Sequence, residues 1–144
     1  MTSIRKRLLA GVKAGETFSV TRTFTEDDVL LFTGASHDHN PIHFNREYIK
    51  AKGFDGLICH GLHVGSLVTE IGGQLSMLAA GMNFRFRRPV YCGDTVTCTL
   101  TIEEMDERRR VKCSALLVNQ RGETVIEGQL FGTLPSDEEL SLIS

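Results

Sequence analysis

The strongest constraint on the fold is one apolar helical segment followed by four alternating segments. Residues 61–71 place four apolar side chains at the spacing i, i+3, i+4 and i+7, which is one face of a helix: Val64, Leu67, Val68 and Ile71. The later segments alternate apolar and polar residues, as strands with one buried face do: Met82, Phe84 and Phe86; Val96, Cys98, Leu100 and Ile102; Val111, Cys113, Ala115 and Leu117; and the run 124–133. Residues 16–24 predict one more strand. An antiparallel sheet of about five strands wrapped around the central helix would bury all of these faces, so the sequence predicts an α+β domain.

Two shorter helices are predicted before the central one. Thr25 is followed by three acidic residues, a combination typical of a helix start because the hydroxyl caps backbone N–H groups and acids suit the positive end. Another helix is predicted over about residues 46–52, capped by Asn45 and ended by Gly53. The glycine pair 72–73 is predicted to end the central helix.

Length and charge limit the class of protein. The chain has 144 residues and is interpreted as a single domain over residues 1–144. Residues 1–15 are predicted to be a tail or a short arm that contacts another subunit, and residues 135–144 a C-terminal tail. A net charge of −2 and a pI near 6.2 argue against a nucleic-acid partner, which usually requires a strongly basic face. No stretch approaches ~20 consecutive apolar residues, so no membrane span is predicted.

The cysteines help to predict the cellular compartment of the protein. Four are present without a Cys-x-x-Cys pair, and three of them lie in strand-like or buried contexts. They are interpreted as reduced core thiols, which favours a cytoplasmic protein. The first thirteen residues are basic and apolar without an acid, a faint similarity to a transit sequence that leaves the mitochondrial matrix open.

Residues 36–43 carry the first candidate chemistry and read Ser-His-Asp-His-Asn-Pro-Ile-His. Asn40-Pro41 disfavours a helix and forces a turn. That turn can bring Asp38 and His43 to face one pocket, as a general acid–base pair requires. Residue types alone leave open a plain polar turn with a solvated aspartate and an exposed histidine.

The start of the central helix, His60-Gly61, offers backbone N–H groups that can hold a developing anion. All five histidines fall within one stretch, so a metal cluster is an alternative. It is disfavoured because His37-x-His39 lies at a helix-to-turn junction rather than on a strand, where alternate residues share a face. Cys59 is a weak candidate nucleophile in an apolar run, and no hydrolase elbow or nucleotide-binding loop is present in the sequence.

Residues 38–43, Asp-His-Asn-Pro-Ile-His, resemble the Asp-x-Asn-Pro-x-His motif of the MaoC-like family, the (R)-specific enoyl-CoA hydratases and hydroxyacyl-thioester dehydratases of the hot dog fold. Further segments are similar to the family pattern in the same order: Gly53-Phe54, residues 58–62, residues 86–94, residues 119–122 and Glu127-Gly128. The resemblance covers roughly residues 17–134. The chain departs from the family at four positions: His37 where a glycine is usual, Asn45 where an aspartate is usual, Cys59 and His63.

The resemblance implies a hot dog fold and reversible hydration of trans-2-enoyl-CoA, or another enoyl thioester, to the (R)-3-hydroxyacyl thioester. It implies that Asp38 and His43 share the acid–base work and that Ser66, on the central helix, orients a catalytic side chain. The alternative for Ser66 is a small packing residue or a hydroxyl bonded to its own helix backbone. The residues expected to bind the substrate are Asn40, Pro41, His60, Gly61 and Leu62.

The resemblance also implies partners. No metal or separate cofactor is expected, since coenzyme A or acyl-carrier pantetheine is part of the substrate itself. A homodimer or larger homo-oligomer is expected, with the acyl pocket between subunits. Two alternatives stay open: a non-catalytic protein that binds acyl thioesters, and a dehydratase acting on another CoA thioester. Convergence of Asp38 and His43 in space would favour an enzyme over a binding protein.

Overall fold

The computed structural model describes residues 3–144, and no helix within that range is long and apolar enough to cross a membrane. The α-helices are α1 (Ile4–Ala10), α2 (Glu26–Ser36), α3 (Arg46–Ala51), α4 (Gly61–Gly65), α5 (Leu67–Gln74) and α6 (Asp137–Ile143). The strands are β1 (Thr17–Thr23), β2 (Leu78–Phe86), β3 (Thr95–Met105), β4 (Arg110–Asn119) and β5 (Thr124–Thr133). A short 3₁₀ helix covers Pro41–His43.

The five strands form one sheet in the order β1-β3-β4-β5-β2, and every neighbouring pair is antiparallel. The two edge strands are therefore β1 and β2. The predicted α+β architecture of about five antiparallel strands around a helix is confirmed.

The apolar faces meet as the periodicity predicts. The four apolar residues of the central helical segment are at most 3 % exposed, and Val96, Cys98, Leu100 and Ile102 of β3 are fully buried. One continuous core contains both sets. Burial of alternate strand residues against one helix face is the main favourable term in such a domain, at about 25 cal/mol per Å² of apolar surface.

Both predicted helix starts before the central helix are confirmed. Thr25 and Asp28 form a reciprocal capping box at the start of α2, which satisfies two N–H groups that would otherwise lack partners. The Asn45 side chain accepts a hydrogen bond from the Tyr48 N–H at the start of α3. Gly53 follows α3 with φ at 83°, a left-handed conformation that glycine adopts without steric cost.

The central helix differs from its prediction at two points. It is divided at Ser66, whose N–H lies 3.0 Å from the carbonyls of both Leu62 and His63, so the chain tightens there by a turn of 3₁₀ type. It also continues through the glycine pair 72–73 to Gln74. Tertiary contacts explain the extension, because Leu75 is fully buried and the Arg5 guanidinium donates to the Gly73 carbonyl at 2.9 Å.

The predicted terminal tails are helical in the structure. In α1, Ile4 and Leu8 are buried in the core, so this segment packs within its own chain; Met1 and Thr2 lie outside the described residues. In α6, Ser136 forms a capping box with Glu139, and Leu140 packs against the core. Helices of seven residues show too few turns for a sequence period, which is why they were not predicted.

Gly132 on β5 is a position where a side chain should not fit. A Cβ there would lie 2.6 Å from the Leu78 carbonyl oxygen and 2.9 Å from Met77 Cγ. We expect Gly132→Ala to lower the free energy of unfolding by ~1–3 kcal/mol, because backbone must move to relieve the contact. Gly81→Ala is the control, since its Cβ would meet Phe131 at an ordinary 3.7 Å. Urea unfolding of both variants tests this, and equal losses would contradict it.

Candidate active site

The loop between α2 and α3 is shaped by hydrogen bonds local to the motif. The α2 helix ends at His37, which adopts the left-handed conformation at φ 60° and ψ 24°. The Asp38 carboxylate then accepts from the Asn40 N–H at 3.1 Å, and the Asn40 side chain accepts from the Ile42 N–H at 3.1 Å. These two turns hold the chain in the compact form that the proline predicted.

This turn brings Asp38 and His43 together. His43 Nε2 lies 3.6 Å from Asp38 Oδ2, and the side chains are 7 % and 47 % exposed respectively. His43 Nδ1 lies 2.6 Å from the Ile58 carbonyl. Because a carbonyl can only accept, Nδ1 carries the proton in the neutral ring and Nε2 presents its lone pair toward Asp38. The predicted convergence of the two side chains is therefore present.

A cavity of about 750 Å³ opens beside this pair. Its wall includes His43, Asn40 and the first two residues of α4, Gly61 and Leu62. The rest of the wall is mainly apolar: Ile42, Phe54, Ile58, Cys59, Val64, Phe86, Pro89, Val90 and Ile126, with Arg87 and Arg88 at its rim. A mainly apolar cavity with a few polar groups at one place is the usual form of a small-molecule site.

Three predicted site residues occupy other positions. His60 is only 2 % exposed and lies behind His43, away from the cavity wall. Ser66 donates its hydroxyl to the His63 carbonyl at 2.5 Å, so the hydroxyl bonds its own helix and orients neither Asp38 nor His43. Pro41 begins the 3₁₀ helix and does not line the cavity. The substrate contacts of His60 and Pro41 and the orienting role of Ser66 therefore stay predictions, and the geometry of the chain gives them no direct support.

The contacts of His60 were not visible from the sequence. Its ring stacks on the His43 ring with centroids 3.7 Å apart and planes at 23°, and its Nε2 lies 3.1 Å from the Asp38 carbonyl oxygen. The two histidines are separated by 17 positions (60 − 43), and no local period connects them. The adjacent His-Gly pair was the only signal, and it pointed to the helix start instead.

The remaining histidines do not reach the cavity. His63 stacks on Phe32 at 5.0 Å with planes 9° apart and meets Phe24 edge to face. His37 and His39 are exposed. The extra imidazoles therefore leave the cavity largely apolar.

Asp38, His43 and His60 place one potential metal ligand each within 4.8 Å of one another. Zinc needs imidazole nitrogens about 2.0–2.1 Å away, with lone pairs directed at the ion. Two stacked rings in nearly parallel planes direct their lone pairs side by side, so a shared ion requires one ring to rotate. His60 Nε2 would also have to leave the Asp38 carbonyl.

The thiols near the cavity are poor nucleophiles. Cys59 and Cys92 have free thiols with sulfur atoms 3.7 Å apart. Burial raises the pKa of the Cys59 thiol far above its ordinary value, and the neighbouring Cys92 acts in the same direction. Since the thiolate is the reactive form, the cysteine alternative is disfavoured.

The two buried histidines predict how stability depends on pH. Burial lowers the pKa of both His60 and His63, so below the unfolded value of about 6.5 the unfolded chain binds more protons than the folded one. We expect the melting temperature to fall as the pH drops from ~7.5 to ~5.5. This pH range lies above the pKa values of ordinary carboxylates, so the fall reports mainly on histidines. His63→Phe should reduce that fall. An identical fall in the variant, measured by thermal unfolding at each pH, would contradict the assignment.

Comparisons with known proteins identify the family of this chain. A model of the MaoC-like domain matches residues 10–123. An (R)-specific enoyl-CoA hydratase of Rhodospirillum rubrum is 31% identical over 129 residues, which cover 87% of this chain and 90% of that protein. A mitochondrial 3-hydroxyacyl-[acyl-carrier-protein] dehydratase of Solanum lycopersicum is also 31% identical, covering 87% of this chain and 79% of that protein.

Solved structures give the same result. The unliganded R-hydratase PhaJ1 of Pseudomonas aeruginosa superposes with a TM-score of 0.82 at 28% identity, covering 90% of this chain and 86% of that one. The (R)-hydratase of A. caviae has a TM-score of 0.81 at 25% identity, covering 87% of this chain and 98% of that one. The chain therefore belongs to the MaoC-like domain family and has the hot dog fold, as the motif resemblance predicted.

Proposed function

We propose that this protein hydrates trans-2-enoyl thioesters reversibly to (R)-3-hydroxyacyl thioesters. The observation that carries the proposal is the position of Asp38 Oδ2 3.6 Å from His43 Nε2, because His43 lines a largely apolar cavity. The relatives named (R)-specific enoyl-CoA hydratase and 3-hydroxyacyl-[acyl-carrier-protein] dehydratase support the reaction class and both of its directions.

The acid–base step follows from the arrangement of the pair. A distance of 3.6 Å exceeds a direct hydrogen bond, yet one water can lie about 2.8 Å from both atoms. We assign Asp38 as the group that accepts the proton of this water while the oxygen attacks Cβ. His43 is its partner, and the pair returns one proton to Cα, so both groups end in their starting states. A positioned acid or base of this kind contributes ~10²–10⁴-fold to a rate.

The thioester oxygen needs donors while negative charge develops on it. We assign this task to the backbone N–H groups of Gly61 and Leu62, which line the cavity at the start of a helix without a side-chain cap. N–H groups in a first turn lack acceptors within their own helix. A Cβ at position 61 would lie 2.8 Å from the Phe86 ring, so any larger residue there would displace that ring. One such donor is typically worth ~10²–10³-fold.

No metal or separate cofactor takes part in the proposed reaction. The carrier, either coenzyme A or acyl-carrier pantetheine, enters as part of the substrate, and its acyl group faces the apolar wall of the cavity. The experiment that tests the function is to follow the loss of enoyl absorbance with the purified protein and trans-2-enoyl-CoA esters of short and medium length. Turnover unaffected by a chelator is expected. Binding of the esters without turnover would favour a non-catalytic acyl-thioester-binding protein instead.

We also propose a homodimer, based on the free edge of β2. This strand pairs with β5 on one side only, and it carries exposed apolar side chains: Leu78, Met82 and Phe86, at 77 %, 43 % and 56 % exposed. A long apolar edge strand normally needs a cover, and a second copy pairing along β2 would supply it symmetrically.

We expect light scattering to give at least twice the 16.0 kDa mass of one chain. Met82→Lys should shift the protein toward the monomer, because it places a charge on the proposed contact. Leu142→Lys is the matched control, since Leu142 is 80 % exposed on α6. A stable active monomer of the unchanged chain would contradict the dimer.

A cytoplasmic location remains a prediction from the free thiols. Some relatives are named as mitochondrial, so the matrix is the alternative compartment. Fluorescence imaging of the tagged protein in its source cells distinguishes the two.

A further inference from the structure

His60 connects the two members of the proposed acid–base pair. Its Nε2 lies 3.1 Å from the Asp38 carbonyl oxygen, and its ring stacks on the His43 ring at 3.7 Å. On its other side, Phe32 packs against the ring at 5.0 Å with planes tilted by 58°. The imidazole is thus clamped between an aromatic side chain and His43, while one nitrogen holds the backbone of Asp38.

The hydrogen bonds assign the tautomer of His60. A carbonyl oxygen only accepts, so Nε2 carries the proton that bonds Asp38. Thr33 Oγ1, 3.4 Å from the same nitrogen, donates its own proton to the Val29 carbonyl at 2.7 Å, and so it can also only accept from His60. The Nδ1 atom of His60 therefore carries no proton and can only accept a hydrogen bond.

Nδ1 of His60 is buried and has no hydrogen-bond partner among residues 3–144. An unsatisfied buried acceptor destabilises a folded protein relative to an apolar replacement. The imidazole therefore carries a local cost at Nδ1, which its hydrogen bond from Nε2 to the Asp38 carbonyl offsets. The contacts with Asp38 and His43 are what an apolar residue cannot reproduce in full.

We propose that His60 is a positioning residue that sets the distance between the Asp38 carboxylate and His43 Nε2. This inference rests on the proposed function. The hydrogen bond from His60 Nε2–H holds the Asp38 carbonyl. The stacked His60 ring limits how far the His43 ring can tilt about its hydrogen bond to the Ile58 carbonyl. His60 itself does not line the cavity, so it acts through these two residues rather than on the substrate.

Two substitutions separate the two contacts. His60→Phe keeps a flat ring under His43 and removes the N–H donor, whereas His60→Gln keeps an N–H donor and removes the ring. We expect each to lower kcat by ~10–100-fold, because misplacing a reacting group by about 1 Å costs that much, while KM for a short trans-2-enoyl-CoA ester changes less than about threefold. His39→Phe is the matched control on the same loop, where the side chain is exposed.

The melting temperature distinguishes positioning from folding. His60→Phe is expected to change the melting temperature little, because it removes the unpartnered nitrogen and also the hydrogen bond to the Asp38 carbonyl. Unchanged kcat in His60→Phe would overturn the proposal, and so would a loss of kcat that merely follows a loss of folded protein.

A measurement on the unchanged protein keeps the inference testable if both variants fail to fold. Nitrogen-15 NMR of the imidazoles should show His60 as the neutral Nε2–H tautomer and His43 as the Nδ1–H tautomer. A His60 with its proton on Nδ1 cannot donate to Asp38 and would overturn the proposal. Because this readout needs no turnover, it separates failure of the positioning role from failure of the proposed reaction.

Discussion

Asp38→Asn is expected to lower the rate of enoyl-CoA hydration by ~10²-fold or more, with folding unchanged. The amide keeps the shape of the carboxylate and its hydrogen bond from the Asn40 N–H, but it cannot accept a proton from water. The side chain is 47 % exposed, so the substitution leaves no buried unpaired group. The loss should appear in kcat, because the carboxylate is assigned to the chemical step.

His43→Gln should have a similar effect. Glutamine removes the Nε2 lone pair that faces Asp38, even where its amide reaches the Ile58 carbonyl in place of Nδ1–H. Matched controls are Asp27→Asn in the first turn of α2 and His39→Gln on the motif loop, both exposed. Steady-state rates with circular dichroism as a check on folding decide the matter. Turnover near that of the unchanged protein after either change at the pair would reject the assignment.

The product of hydration is expected to be essentially all (R)-3-hydroxyacyl-CoA. In the proposed mechanism Asp38 and His43 act from one side through one water, so hydroxyl and proton should reach the same face of the enoyl group. The N–H groups of Gly61 and Leu62, if they hold the carbonyl as proposed, decide which side of Cβ meets the water. Relatives named (R)-specific support this choice of face.

Two readouts test the stereochemistry together. Coupling the reaction to an (S)-specific 3-hydroxyacyl-CoA dehydrogenase should produce essentially no NADH, while chiral chromatography shows the (R) alcohol accumulating. Addition of an (R)-specific dehydrogenase is the positive control. Accumulation of the (S) alcohol would overturn both the mechanism and the placement of the carbonyl.

Much of the fold could be predicted because burial has a local period. The helix face at Val64 and Ile71 and the alternation along β3 each reflect which side of one element meets the core. Helix starts at Thr25 and Asn45 were equally accessible, since a cap involves residues only three positions apart. The turn after α2 could also be predicted, because Asn40 and Pro41 restrict their own backbone conformation.

Contacts between distant segments were not predictable in this way. The continuation of the central helix past the glycine pair 72–73 depends on the burial of Leu75 and on the hydrogen bond from Arg5 to the Gly73 carbonyl. The terminal helices were missed for a related reason. Ile4, Leu8 and Leu140 find their burial against the core built by the rest of the chain.

The candidate site shows both cases. The sequence shows which residues form the site and in what order: Asp38 and His43 lie on a proline-containing turn, and a glycine follows at a helix start. These features could be predicted because each depends on the local backbone. Their geometry is a tertiary property. The Ile58 carbonyl selects the His43 tautomer, and His60 reaches both members of the pair only because the chain leading into α4 packs beside the motif turn. Spacing along a chain constrains local backbone, whereas a contact across 17 positions (60 − 43) exists only once packing has fixed where both segments lie.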